Sequence, residues 1–148
     1  MYKLIACDLD ETLIKPDRTI DSRDIEAIKK LKDLGVKFVL ATGRGYNTVQ
    51  GTLKELDLFD KANQYVISYN GGAITENKEN RLLHFEGISF EKAEELYKRG
   101  LKYDVVIHVY TRDAVYAYNL TEDEKRYVQN RQEMIEVFDP VSYTHLRA

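Results

Sequence analysis

The chain has 148 residues, 43% of them hydrophobic and 32% charged, which is typical of a folded protein of one domain or of one domain plus part of a second. A net charge of −3, without any basic run, argues against nucleic acid as a partner. One cysteine and three histidines exclude an internal disulfide and argue against a structural zinc site.

The N-terminal apolar stretch resembles neither a targeting signal nor a membrane anchor. The run from Leu4 to Cys7 is too short for a secretory signal and leads directly into Asp8. No apolar run approaches the length of a membrane span. We therefore predict a soluble cytoplasmic protein without a membrane partner.

Apolar strands and amphipathic helices alternate in the first half of the chain. Residues Tyr2–Leu9 are nearly all apolar, which predicts a strand buried on both faces of a parallel sheet. A helix follows over residues 22–34, capped by Asp21 or Ser22 and ended by Gly35. Its predicted inward face consists of Ile25, Ile28, Leu31 and Leu34. A strand, a helix and another strand are then predicted over residues 36–41, 46–56 and 65–68. This order predicts an α/β domain with right-handed crossovers.

The pattern changes after residue 70 to short paired strands and capped helices. Hairpins are predicted over residues 71–85 and 105–118. Ser89 is predicted to cap a helix ended by Gly100, and residues 121–124 form a capping box that opens another helix. We therefore divide the chain into a core segment over residues 1–84 and a partial α/β domain over residues 85–148.

The end of the sequence suggests truncation. Residues 140–148 show no periodicity, and the second segment stops before it could complete a sheet. We expect the chain to be truncated within the second domain, with a tail of about seven residues outside the native reading frame.

Acidic and hydroxyl side chains follow the first two predicted strands. Asp8 and Asp10 follow the first strand, and Thr42 follows the second. Ligands bind at the carboxyl ends of parallel strands, so these groups converge if the two strands are neighbours. Two carboxylates and a hydroxyl suit a phosphoryl group held with Mg²⁺, which prefers oxygen ligands. Asp8 could act as a covalent nucleophile and Asp10 as a proton donor and acceptor. The start of the following helix could add N–H groups.

Each of these features also has an ordinary structural explanation. A D-x-D sequence is most often a solvated loop, and Thr42–Gly43 is most often a strand-to-helix turn. Arg44 is usually a surface charge, and Asn70–Gly72 is usually a turn. The combination at the ends of two successive strands favours a functional site.

The motifs "DLDETL", "ATGR" and "SYNGG" together resemble those of the haloacid dehalogenase superfamily of phosphohydrolases. More narrowly, they resemble its Cof-type sugar-phosphate phosphatases. The resemblance implies a Rossmann-like, three-layer core with a parallel sheet and an inserted α/β cap domain, whose beginning would lie near Ser89. It also implies a small phosphorylated metabolite as the substrate.

The resemblance also implies roles for individual residues. Asp8 would be the nucleophile and Asp10 the general acid and base, with Mg²⁺ held by the Asp8 carboxylate and the Asp10 backbone carbonyl. Thr42 would hydrogen-bond the phosphoryl group. Three further residues would lie on the substrate side of the cleft: Gly43, Arg44 and Asn70.

Two departures from the family pattern affect this interpretation. Glu11 stands where the Cof-type branch usually has glycine. The lysine and the acidic pair that complete the family's site after the cap are not found in this sequence. We therefore expect the whole protein to be a phosphatase and the 148-residue chain alone to have weak or no activity. Sugar phosphates, nucleotides and phosphorylated cofactors remain possible substrates, and the oligomeric state is not predicted.

Three alternatives remain at this stage. A receiver domain of phospho-signalling proteins also combines aspartates, a threonine and magnesium, but its phosphorylated aspartate ends the third strand, where this chain has Ser68–Asn70. A phosphomutase of the same superfamily shares the first motif. A non-catalytic fragment could retain the fold alone.

Overall fold

The described residues form two separate β-sheets, each accompanied by helices. The computed structural model of the protein describes residues 2–129 and 133–138. The chain divides into two compact units, Met1–Glu86 and Gly87–Ala148. Their interpretation as a core and a partial cap stays a prediction, and the predicted non-native tail lies outside the described residues.

The first unit contains a five-stranded mixed sheet whose spatial order follows the chain. Its strands are β1 (Leu4–Asp8), β2 (Lys37–Ala41), β3 (Tyr65–Ser68), β4 (Ala73–Glu76) and β5 (Arg81–Phe85). The first three strands are parallel, while β4 is antiparallel to both of its neighbours. The α/β class is confirmed. The predicted hairpin of β4 and β5 extends the same sheet, which makes the sheet mixed.

The first strand is less buried than its sequence predicts. Leu4 is 50% exposed and Ile5 is 40% exposed, so the prediction of a strand buried on both faces is wrong for the described residues. The reason is its position, because β1 forms one edge of the sheet and pairs only with β2 in the described part of the chain. An apolar run indicates that a strand can be buried, but burial itself requires neighbours.

Helix α1 (Ser22–Leu31) connects β1 to β2 and ends three residues before its predicted end. Asp33, Leu34 and Gly35 donate backbone hydrogen bonds to carbonyls three residues earlier, so the helix tightens into turns. Gly35 has a φ of +65°, the left-handed conformation expected at a helix end. Leu34 is consequently 59% exposed, and its assignment to the inward face is wrong.

The cap of α1 predicts a pH-dependent contribution to stability. Asp21 accepts hydrogen bonds from the Arg23 side chain and from the Arg23 backbone N–H, and these bonds lower the pKa of Asp21 to about 2. A lowered pKa in the folded state stabilises the fold above the unfolded-state value of about 3.9, and this contribution is lost as the pH falls towards 2. We expect the advantage of the wild type over Asp21→Ala, measured by urea unfolding at stepped pH, to shrink across this interval. If the difference in the free energy of unfolding between the wild type and Asp21→Ala did not change with pH, the lowered pKa of Asp21 would be contradicted.

Helix α2 (Gln50–Glu55) is shorter than the predicted helix, but its predicted inward face is correct. The side chains on that face are at most 7% exposed, and they are Tyr46, Val49, Leu53 and Leu56. Residues 46–49 form turns rather than helix, so the first two of these residues reach the core from a loop. The core also contains Leu9 and Leu40, which anchor the ends of β1 and β2.

The second unit has a three-stranded sheet and two capped helices. Strands β6 (Ile107–Tyr110) and β7 (Val115–Tyr118) form the predicted hairpin, and β8 (Ile135–Val137) adds a parallel strand beside β7. The third strand was not predicted, because three residues are too few to show a period. Helices α3 (Phe90–Gly100) and α4 (Glu122–Val128) begin at the predicted caps, Ser89 and Thr121. None of the helices within the described ranges has the length and hydropathy needed to cross a bilayer.

Candidate active site

The carboxyl ends of β1 and β2 lie side by side. Asp8, the last residue of β1, is paired with Ala41, the last residue of β2, and Thr42 follows directly. This confirms that the two strands are neighbours. Leu9 is fully buried between the two aspartates, and Asp10 is less buried than Leu9. The pair of acids is therefore anchored to the core through the residue between them.

The Asp8 side chain is exposed and is oriented by Thr12. One carboxylate oxygen, Oδ2, accepts a hydrogen bond of 2.8 Å from the Thr12 hydroxyl. The loop after β1 folds back on itself to make this contact, because the Ile14 N–H donates to the Leu9 carbonyl at 2.8 Å. The sequence interpretation did not include Thr12, although its spacing of four residues from Asp8 is visible in the sequence.

Asp10 forms an ion pair with Arg44. The guanidinium donates from Nε to Asp10 Oδ2 at 2.8 Å and from its terminal nitrogen Nη2 to Oδ1, so both carboxylate oxygens are engaged. Such two-point pairs fix the geometry as well as the charge. Arg44 is therefore not a solvated surface charge, since only 14% of its side chain is exposed. The sequence contained no signal for this pair, whose members are 34 residues apart.

Thr42 is buried at the junction of β2 and β3. Its N–H donates to the Ile67 carbonyl at 2.9 Å, and its hydroxyl oxygen accepts from the Arg44 N–H at 3.1 Å. The second bond uses the oxygen only, so the hydroxyl proton is available for another acceptor. The predicted helix start near Tyr46 is wrong, because α2 begins only at Gln50 and turns follow Arg44; a contribution of its N–H groups stays a prediction.

Asn70 is held against the same loop by backbone bonds. The Asn70 N–H donates to the Thr42 carbonyl and the Tyr69 N–H to the Arg44 carbonyl, both at 3.1 Å. The Asn70 side chain lies over Gly43, where an added Cβ would be 3.1 Å from its Oδ1. Asp10, Thr42, Gly43, Arg44 and Asn70 are therefore linked by direct contacts, and Asp8 lies two residues from Asp10 in the chain.

The available donors fit part of a magnesium site. No cluster of three or more His, Cys, Asp or Glu side chains suited to a metal occurs within residues 2–129 and 133–138. Mg²⁺ usually takes one or two carboxylates and completes its shell with waters and substrate phosphate. The exposed Asp8 carboxylate and the Asp10 carbonyl are oxygen donors of the required kind.

Cys7, which precedes Asp8, is unsuited to be a nucleophile. Partial burial raises the pKa of the Cys7 thiol, and the negative charges of Asp8 and Asp24 raise it further. Only the thiolate attacks electrophiles, so the raised pKa makes this cysteine a weaker nucleophile than a free cysteine. Cys7 is instead partly buried and packs against the hydrophobic core.

A sequence profile of haloacid dehalogenase-like hydrolases matches residues 5–145. The chain belongs to this family. It is 33% identical over 119 residues to YxeH of Bacillus subtilis (strain 168), a match that covers 80% of the chain and 44% of that relative. It is also 32% identical over 113 residues to a Yersinia pestis (strain Pestoides F) protein named HMP-PP phosphatase, covering 76% of the chain and 40% of the relative.

Solved structures of the family share the fold. A haloacid dehalogenase-like hydrolase from Bacteroides thetaiotaomicron superposes with a TM-score of 0.77 at 26% identity, covering 96% of the chain and 54% of that structure. The chain spans less than half the length of the two curated relatives described above.

Glu11 has a backbone conformation that favours glycine, and this provides a stability prediction. Its φ is +59°, a left-handed conformation that costs a residue with a Cβ about 1–2 kcal/mol. We expect Glu11→Gly to have a free energy of unfolding about 1 kcal/mol higher than Glu11→Ala. The matched pair on α1, Glu26→Gly and Glu26→Ala, should show the reverse order, by about 1 kcal/mol. Urea unfolding of the four variants measures both differences, and the same order at both positions would contradict the left-handed assignment.

Proposed function

We propose that the protein containing this chain is a Mg²⁺-dependent phosphatase of small phosphate monoesters that acts through an aspartyl phosphate. The observation that carries the proposal is the meeting of Asp8, Asp10 and Thr42 at the ends of two neighbouring parallel strands. Membership of a hydrolase family supports the reaction class, and the name of the Yersinia relative supports phosphate removal. A cytoplasmic location is part of the same proposal.

Asp8 would be the nucleophile of the first step. A carboxylate oxygen of Asp8 attacks phosphorus, the bond from phosphorus to the ester oxygen breaks, and the leaving oxygen takes a proton from Asp10. In the second step Asp10 removes a proton from water, whose oxygen attacks phosphorus and releases inorganic phosphate from Asp8. Thr12 supports this role, because its hydroxyl donates a hydrogen bond to Oδ2 of Asp8 and so fixes the orientation of the carboxylate. The second oxygen, Oδ1, would then be the attacking atom.

Arg44 would control when Asp10 can act as an acid. The Arg44 guanidinium donates to both oxygens of Asp10, the two atoms that would take part in proton transfer. Asp10 would therefore have to leave Arg44 before it protonates the leaving oxygen. A bound phosphate ester offers Arg44 another anion, so substrate binding and the release of Asp10 would be coupled.

Thr42 and Asn70 would bind the phosphoryl group. The Thr42 hydroxyl proton is free of the bond with the Arg44 N–H, and the Asn70 amide lies above Gly43 in the same loop. Both side chains are neutral, so they can donate to phosphoryl oxygens without adding repulsion. Mg²⁺, held by the Asp8 carboxylate and the Asp10 carbonyl, would offset the negative charges of carboxylate and phosphate.

The test is phosphate release from a panel of esters, by the 148-residue chain and by the product of its full open reading frame. The panel contains sugar phosphates, nucleotides, pyridoxal phosphate and HMP-PP, and each is assayed with Mg²⁺ and with EDTA. We expect Mg²⁺-dependent release by the full product, with sugar phosphates as the preferred class. An isomerised phosphate ester without free phosphate would favour a phosphomutase. A long-lived aspartyl phosphate without turnover would favour a receiver-like role.

A further inference from the structure

Ser68 is the last residue of β3 and lies next to the end of β2, where the candidate site begins. The register of the parallel pair matches Ala41 with Ile67, and the Thr42 N–H continues the ladder by donating to the Ile67 carbonyl at 2.9 Å. Thr42 and Ser68 are the next residues of the two paired segments. They are therefore cross-strand neighbours, on backbones about 4.8 Å apart.

The side chains of Thr42 and Ser68 belong to the same face of the sheet. Leu40 and Val66 are both members of the hydrophobic core cluster, and side chains two residues apart on a strand share a face. Thr42 follows Leu40 by two positions, and Ser68 follows Val66 by two positions. Thr42 is 5% exposed and Ser68 is fully buried, so two hydroxyl side chains occupy neighbouring positions shielded from water.

The Ser68 hydroxyl has no hydrogen-bond partner within the described part of the chain. A buried hydroxyl that is left without a partner lowers the stability of the fold, because its hydrogen bonds to water are lost on folding. Alanine fits such a position without this cost, as the residue paired with Ser68 on β4 shows: Ala73 is also fully buried. Packing alone therefore does not account for a serine at the end of β3.

The hydroxyl oxygen of Thr42 can accept one more hydrogen bond. A hydroxyl group has two lone pairs and one proton. The Arg44 N–H uses one lone pair at 3.1 Å, and the proposed function assigns the proton to the phosphoryl group. The second lone pair can accept the proton of Ser68. A hydroxyl whose two lone pairs are both engaged can only donate, so its proton would be directed at the phosphoryl oxygen.

We propose that Ser68 is a positioning residue of the phosphoryl site, which donates its hydroxyl proton to Thr42 Oγ1 when Thr42 donates to a bound phosphoryl group. Rotation about the Cα–Cβ bond of Ser68 moves its hydroxyl between staggered positions without a change in the backbone. Ser68 does not contact the substrate in this role, because it acts through Thr42. The inference rests on the proposed function, which assigns Thr42 to the phosphoryl group.

The first test compares two buried hydroxyls for which the described residues offer no partner. Ser68→Ala removes the one beside Thr42, and Thr75→Val removes that of Thr75 on β4, which is 1% exposed. In the product of the full open reading frame, Ser68→Ala should lower kcat/KM for the best ester about tenfold, and Thr75→Val should change it less than about twofold. Neither variant should lower the free energy of unfolding in urea, because neither loses a hydrogen bond. Equal effects of the two variants on kcat/KM, or a Ser68→Ala protein as active as the wild type, would overturn the proposal.

The second test separates this inference from the proposed function. Amide NMR of Gly43 and Asn70 in the 148-residue chain measures the affinity for inorganic phosphate in the presence of Mg²⁺. Ser68→Ala should weaken this affinity about threefold, and it should have no effect in a Thr42→Val background, where the acceptor is absent. The same weakening in both backgrounds would overturn the inference and leave the proposed function intact, since Ser68 would then act by packing alone. Amides that do not respond to phosphate in the wild type would refute the phosphoryl site, and the inference with it.

Discussion

In the protein encoded by the full open reading frame, Asp8→Asn should lower the rate of phosphate release at least about a thousandfold. The reason is that an amide cannot serve as the attacking carboxylate. The side chains are nearly equal in size, and Asp8 is exposed, so the fold should persist. The measurement is turnover with the best ester of the panel, together with mass spectrometry of the protein after rapid acid quenching. The wild type should carry one phosphoryl group on Asp8, and the variant none.

The matched control for this prediction is Asp17→Asn. Asp17 is an exposed aspartate of the loop after β1, and its carboxylate accepts hydrogen bonds from Thr19, which is not one of the candidate site's residues. Its activity should stay within about twofold of the wild type, as is usual for surface substitutions. Turnover by Asp8→Asn above a tenth of the wild-type rate would refute the nucleophile assignment, whereas equal losses in both variants would point to a stability effect.

Gly45→Ala should destabilise the first unit by about 1–3 kcal/mol. A Cβ at this position would lie 2.7 Å from the Tyr69 hydroxyl oxygen, closer than real contacts allow, and 3.0 Å from the ring carbon Cε1, which is a tight contact. The ring cannot easily move aside, since it packs edge-on against Tyr46 and Phe85. Because the Tyr69 N–H is bonded to the Arg44 carbonyl, displacement of Tyr69 would also disturb the site loop.

Gly51→Ala is the matched control for Gly45→Ala, because it should raise the free energy of unfolding where Gly45→Ala lowers it. Gly51 lies inside α2, and no atom would come within 4 Å of an added Cβ. Alanine is favoured over glycine in a helix by about 1 kcal/mol, so this variant should be more stable than the wild type. Urea unfolding of both variants decides the matter. A Gly45→Ala protein as stable as the wild type would show that Tyr69 can be repacked at little cost.

Local patterns predicted the elements well wherever neighbouring residues decide the conformation. Ser89 and Thr121 cap their helices as predicted, because a cap needs only a hydroxyl and the N–H groups of the next turn. The burial of Val49 and Leu53 followed from their spacing alone. The predicted end of α1 and the predicted start of α2 were less accurate. Turns replace the predicted helical residues there, and these turns depend on packing outside the helix.

The candidate site was predicted as a set of residues but not as a set of contacts. Asp8, Asp10 and Thr42 could be chosen because each follows a strand, and parallel neighbours bring their ends together. The engagement of Arg44 with Asp10 joins residues 34 positions apart, and no periodicity encodes such a pair.

The sequence by itself therefore determined the α/β class and the membership of a hydrolase family, and it supplied the acids of the proposed phosphoryl transfer. These properties depend on the spacing of residues within single helices and strands, and this spacing can be read from the sequence. The tertiary structure alone decided that Arg44 holds Asp10, that Thr12 orients Asp8 and that β1 is exposed at a sheet edge. Each of these depends on groups brought together by chain folding, where distance in space is unrelated to distance in sequence.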